Sequence, residues 1–143
     1  MNIGFYLESL KEGNKIKLIE EELDRNKEYI SDASIFYNSI APMEVQVKAG
    51  IFHVAEMWAF EGILIIDRIH NLLKAKNVVN KFKCWYYYDK NNQDNFINIM
   101  SNAHLADRII ANGNTMAGEY TRLTNSEPNF TINNYENICR LPI

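Results

Sequence analysis

The run Lys83-Cys84-Trp85-Tyr86-Tyr87-Tyr88 narrows the fold more than any other stretch of this chain. Neighbouring residues on a strand point to opposite faces, so four consecutive rings cannot share one side of a sheet. Such a strand is buried on both faces, and sheets covered on both faces are the parallel ones, with helices packed above and below. The segment Ala33-Ser34-Ile35-Phe36-Tyr37 has the same continuous apolar character. Two strands of this kind predict an α/β chain.

The rest of the sequence reads in that light. Residues 2–8 form a first short strand, apolar and aromatic. Residues 15–27 follow as a helix, with Ile16, Ile19 and Leu23 recurring on one face and Asn14 as its cap. A second strand covers 33–37 and a third 50–54, with a short segment of undetermined type at 43–47 between them. The stretch 55–76 admits one long helix or a turn, a strand and a helix. Gly62 before the β-branched run Ile63-Leu64-Ile65-Ile66, and Asp67 as a natural cap, favour an aromatic turn at 57–60, a strand at 62–66 and a helix at 67–76. The aromatic strand at 83–88 comes next, then a helix at 94–100 and a segment at 105–110 that fits either a strand or a helix. A helix at 115–123 capped by Asn114 and a last strand at 129–132 complete the series. Residues 133–143 are expected as a loosely docked arm. Strands alternating with helices imply crossover connections. The expectation is therefore one Rossmann-like α/β domain over residues 1–143, with a mainly parallel sheet of five or six strands and helices on both faces.

Composition narrows the function. The 143 residues are 47% hydrophobic and 23% charged, enough apolar material for a core without staples. The net charge of −3 offers no general attraction to phosphate polymers, which argues against a nucleic-acid partner. Cys84 and Cys139 have neither the spacing of a zinc site nor that of a disulfide framework, and free thiols fit a reducing compartment. No stretch supplies the ~20 apolar residues of a membrane helix, and residues 1–7 are too short for a signal sequence. A cytoplasmic chain that does not enter membranes is expected. The fingerprints G-x-G-x-x-G, G-x-x-x-x-G-K-[ST] and G-x-S-x-G are all missing, so the chain has no ordinary dinucleotide-binding fingerprint, is not a Walker nucleotide hydrolase and has no nucleophile elbow.

Ligands of open α/β sheets bind beyond the carboxyl ends of the strands. That rim comprises 8–14, 38–42, 54–60, 89–92 and 110–114. The candidate ligand-binding residues are Lys11 for charge, Gly13 for close backbone approach and Asn14 at the helix start. Asn38 and Ser39 join them from the end of the second strand, and Glu56 as an acceptor for hydroxyl groups. Asn, Ser and Gly are also ordinary turn residues. Each histidine has an acid three residues away: His53 with Glu56, Asp67 with His70, and His104 with Asp107. That spacing is used by metal ligands on helices, but such pairs also arise by chance, so no metal site is assigned and the three histidines are expected on different elements. Trp58, Phe60, Trp85 and Tyr86 to Tyr88 could stack a sugar or a base, although core packing is the simpler fate for rings on a strand. No catalytic residue is singled out.

The order of elements resembles the N-terminal Rossmann-like half of GT-B glycosyltransferases, including phage-encoded ones. The matching parts are the opening Ile3-Gly4-Phe5-Tyr6 strand with its loop and helix, the segment Ala55-Glu56-Met57-Trp58-Ala59-Phe60-Glu61-Gly62, the aromatic strand at 82–89, and Leu105-Ala106-Asp107-Arg108 followed by a helix and the strand at 129–133. GT-B enzymes have two such domains, and the nucleotide-sugar donor is held mostly by the second, which these residues do not supply. The resemblance therefore implies an acceptor-type domain, with a nucleotide sugar as the one cofactor class it brings into view. It would be a non-catalytic or partner-dependent module for a polar small molecule, a glycan or a protein, or one half of a cleft formed by a homodimer. The competing expectations are a small enzyme, either a minimal glycosyltransferase or a metal-dependent hydrolase, and a phage protein that binds a host factor.

Overall fold

A computed structural model describes residues 1–9, 13–38, 49–77, 81–89 and 94–142. Its strands are β1 (Asn2–Leu7), β2 (Asp32–Tyr37), β3 (Gly50–His53), β4 (Glu61–Ile66), β5 (Lys81–Tyr88), β6 (Arg108–Asn112) and β7 (Phe130–Ile132). Between them lie the helices α1 (Gly13–Arg25), α2 (Ile69–Lys76), α3 (Phe96–Asn102) and α4 (Gly113–Thr124). Short 3₁₀ turns occupy Val54–Ala59, Ala103–Leu105 and Ile138–Arg140. The strands form one parallel sheet in the order β3-β2-β1-β4-β5-β6-β7. This is the doubly wound arrangement: the chain builds outward from β1 in one direction, returns, and builds outward from β4 in the other. The chain is a single Rossmann-like α/β sheet, with seven strands among the described residues where five or six were expected.

The alternation inferred for the aromatic strand is present. Trp85 and Tyr87 pack on one face with Ile3, Phe5, Ile63 and Ile65, beneath Ile16, Ile19 and Leu23 of α1. Cys84, Tyr86 and Tyr88 pack on the other face with Tyr6, Leu64 and Ile66, beneath Leu72 of α2, Ile99 of α3 and Met116 and Tyr120 of α4. Helices thus cover both faces, and the central strands β1, β4 and β5 are apolar along almost their whole length for that reason. Each fully buried Ile or Leu contributes roughly 1.5–3 kcal/mol.

The stretch 55–76 takes the turn, strand and helix preferred over one long helix. Gly62 explains part of that choice. Its φ is +141°, and a Cβ there would lie 2.3 Å from the Asn2 carbonyl oxygen, so a side chain would push β4 away from β1. The alternative left open at 105–110 resolves into a 3₁₀ turn and the strand β6.

Three local expectations are corrected. Asp67 does not cap α2. Arg68 holds the cap position without a side-chain cap bond, and the Ile69 amide donates instead to Asp94, at 3.2 and 3.1 Å to its two carboxylate oxygens. Asn14 and Asn114 lie inside the first turns of α1 and α4, because both helices begin a residue earlier, at a glycine. The arm expected at 133–143 is anchored through residues 135–139. Tyr135, Ile138 and Cys139 are buried, the Tyr135 ring stacks on Tyr87 at 4.4 Å and 6°, and the Arg140 guanidinium lies 4.5 Å from the centre of the Tyr29 ring. The segment expected at 43–47 lies outside the described residues.

Candidate functional site

In this strand order the topological switch point falls between β1 and β4, because the chain leaves β1 for α1 on one face and β4 for α2 on the other; open α/β sheets offer their ligand crevice at such a point. Both strands end in an acid, Glu8 after β1 and Asp67 after β4. An apolar strand that leaves the core must meet water at its end, and here the first polar residues on each side converge.

Asp67 is 2% exposed, and Lys15 from the first turn of α1 pairs with its Oδ2. The pair ties the start of α1 to the end of β4 across the crevice. Glu8 Oε2 meets His70 Nε2 from the first turn of α2. Burial, the largest influence on the Glu8 carboxyl, pushes its pKa up. The hydrogen bond and charge of His70, the Asn38 amide and the Arg68 charge together outweigh it and hold the group below the ordinary carboxylate value.

Asn38, just past β2, links the parts. Its Nδ2 donates to Glu8 Oε2 at 3.2 Å and to Asn71 Oδ1 at 2.6 Å. Its Oδ1 accepts from the Tyr6 hydroxyl at 2.5 Å and from Lys74 Nζ at 3.4 Å. Burial raises the Tyr6 pKa well above the usual phenol value, with the Glu8 charge adding to the rise and the Asn38 bond opposing it, so the phenol stays a neutral donor. Asn71 is fully buried, and its Nδ2 makes no hydrogen bond among the described residues. A buried amide donor without a partner costs about 1–3 kcal/mol, a cost that a ligand oxygen reaching Asn71 would remove.

Asp94 closes the β5 side. It accepts from the Tyr86 hydroxyl at 2.6 Å as well as from the Ile69 amide, and Arg68 Nε lies 3.5 Å from its Oδ1. The crevice therefore combines Glu8, Asp67 and Asp94 with Lys15, Arg68, His70 and Lys74, and threads Asn38, Asn71 and Tyr6 between them. Such a mixture of donors and acceptors matches hydroxyl groups, which do both. The half-exposed imidazole against a carboxylate can also accept or deliver a proton.

Of the six residues predicted to line the site, Lys11 and Ser39 lie outside the described residues. Gly13 opens α1, and Asn14 is exposed beside it on the turn that carries Lys15. Asn38 is at the centre of the network. Glu56 is elsewhere: it lies on the 3₁₀ turn Val54–Ala59 and lines a cavity with Asn2, Asp32 and Glu61, the first residues of β1, β2 and β4. That is the amino edge of the sheet, because the turn carries the chain back from the end of β3 to the start of β4.

The sequence does not single out Lys15 or Asn71, and the i,i+3 spacing of Asp67 and His70 does not mark a pairing, since each has its partner more than 50 residues away. The usable signal was the position of Glu8 and Asp67 directly after apolar runs, which marks the carboxyl rim.

The three histidines occupy separate places. His53 Nδ1 accepts from the Ala55 amide at 3.2 Å, His70 meets Glu8, and His104 lies in the 3₁₀ turn Ala103–Leu105. Among the described residues, no three His, Cys, Asp or Glu side chains group as metal ligands. Burial pushes the Cys84 thiol up to about 11 and the Cys139 thiol up to about 12, so neither offers a thiolate nucleophile. Trp85 and Tyr86 to Tyr88 are core residues, and Phe60 is 9% exposed, while Trp58 is 69% exposed. No helix among the described residues is long and apolar enough to cross a membrane. A scan against protein-family models and searches of curated proteins and of solved structures found no match.

Proposed function

We propose that this chain is a glycosyltransferase-like binding domain that holds a polar, hydroxyl-rich small molecule, a sugar or sugar conjugate, in the crevice between β1 and β4. The observation that carries this reading is the Tyr6–Asn38–Asn71–Glu8–His70 network, assembled at the switch point and ending in the buried Asn71 donor. The charge balance supports a neutral or weakly charged ligand over a bare polyanion. Glu8, Asp67 and Asp94 would repel phosphates, whereas carboxylates and amides are good partners for sugar hydroxyls. A second copy or a partner domain would close the open side of the crevice and supply contacts to the rest of the ligand.

The half-exposed Glu8–His70 pair favours a second reading, a small enzyme in which His70 exchanges a proton with a bound hydroxyl. One experiment separates the two. Glucose, UDP-glucose, UDP and inorganic phosphate are titrated into the wild type, Asn38→Ala and His70→Gln, followed by thermal shift and by product analysis. Saturable stabilisation by the sugar-bearing ligands is expected, weakened about tenfold or more in Asn38→Ala, where several hydrogen bonds are lost. Turnover of UDP-glucose that disappears in His70→Gln while binding persists would establish the enzyme. Binding of none of the sugar ligands, or equal binding by wild type and Asn38→Ala, would overturn the assignment of the site.

A further inference from the structure

The amino edge of the sheet carries a cavity of its own, of about 310 Å³, on the face that bears α2. Phe36, Phe52 and Phe60 form its walls. Their rings touch in series, with centroids 5.9 Å apart for Phe36 and Phe52 and 5.6 Å for Phe36 and Phe60, so they make one aromatic surface. Asp32, Glu56 and Glu61 also line the cavity, and among the described residues no basic side chain lines it with them. Lys81 reaches Glu61 from outside at 3.1 Å, in a pair that is largely exposed and therefore weakened by solvent.

A second observation comes from the floor. Ser34 lines the same cavity at 5% exposure, and its hydroxyl makes no hydrogen bond among the described residues. The hydroxyl oxygen is not sealed from solvent, so it faces the cavity as a polar group that an entering ligand can pair with. The three features select one chemistry. Aromatic faces attract cations through their quadrupole. The carboxylates balance a positive charge and repel an anion. A serine oxygen at the bottom accepts an N–H. A purely apolar ligand would leave the hydroxyl and the acids unused, and among the described residues the acids do not group as the ligand set a bare metal ion needs.

We propose that this cavity binds a small organic cation with an N–H-bearing head, an alkylguanidinium or alkylammonium. The head lies among Ser34, Asp32 and Glu56, and the apolar stem lies against Phe36 and Phe52. The site is separate from the β1/β4 crevice and does not depend on what binds there.

The test uses n-butylguanidinium and its neutral isostere n-butylurea, titrated into the full chain by calorimetry and by backbone amide NMR. Saturable binding of butylguanidinium is expected, with shifts at Ser34, Phe52 and Glu56 and with butylurea about tenfold weaker or worse. The exposed Glu56→Gln change leaves the fold intact and is expected to weaken the cation about threefold or more, and Ser34→Ala by a similar factor. Equal binding of the urea, shifts confined to the opposite edge, or wild-type affinity in both variants would each overturn the proposal. So would an arginine-containing peptide that binds while free butylguanidinium does not, because the cavity would then be a protein-docking surface.

Discussion

Single residues at the crevice carry charges that the fold has brought far into its interior. The Asp67 carboxylate is 2% exposed, and Lys15 pairs with it. Replacing one member of a buried pair is far more damaging than replacing both, because the remaining charge keeps its desolvation cost. Lys15→Met is therefore expected to lower stability at pH 7 by on the order of 3 kcal/mol, measured by urea denaturation. A loss under about 0.5 kcal/mol would mean that the pair behaves like an exposed surface pair. Neither partner advertises the pairing in the sequence. Lys15 looks like one of several solvent-facing helix residues, and Asp67 has the form of a helix cap. Local pattern favours the short-range role, and only the packing of α1 over β4 reveals the long-range one.

At the scale of elements, the C-terminal segment departs most from its sequence. Residues 133–143 include few consecutive apolar positions and three asparagines, which reads as an arm. Asn134, Tyr135 and Asn137 adopt positive φ of 48°, 66° and 63°. For a tyrosine that conformation is uncommon. It is held by what the turn achieves. The Tyr135 ring stacks on Tyr87, its amide donates to the Tyr87 hydroxyl at 3.2 Å, and Ile138 and Cys139 follow it into the face covered by α1. Tyr135→Ala is expected to destabilise the protein by about 3–4 kcal/mol, read from denaturant midpoints. A change under about 1 kcal/mol would show that the segment docks without contributing. By contrast, the elements whose burial follows a simple period, such as α1 with Ile16, Ile19 and Leu23, were legible to within a turn. Their ends were not, because a helix start depends on which backbone groups find partners and not on periodicity.

For the molecule as a whole, one sheet separates two apolar layers that share every central strand. Trp85 and Tyr86 are neighbours in the chain but belong to opposite layers, so neither layer can be lost while β5 remains in place. Unfolding is expected to be a single cooperative transition. Fluorescence of the buried Trp85, isolated by a Trp58→Phe change at an exposed position, should coincide with loss of far-ultraviolet circular dichroism across a urea titration. Two separated midpoints would show that the sheet parts at the β1/β4 switch point. The class of fold was readable because it rests on local evidence: runs such as 85–88 must be covered on both sides wherever they lie, and strands alternating with helices must cross over. The functional arrangement has no local signature. Glu8 and His70 are 62 residues apart, Lys15 and Asp67 are 52 apart, and Asn38 reaches Asn71 across 33. Those distances close only because β4 pairs with β1 and not with β3, its nearest preceding strand. Because all the strands are parallel, the return from β3 to β4 carries Glu56 to the amino edge, away from Asn38. The apolar pattern of this chain determined that there would be a covered parallel sheet with a polar rim. The order in which its strands pair, set by the packing of whole elements, decided which polar residues meet there.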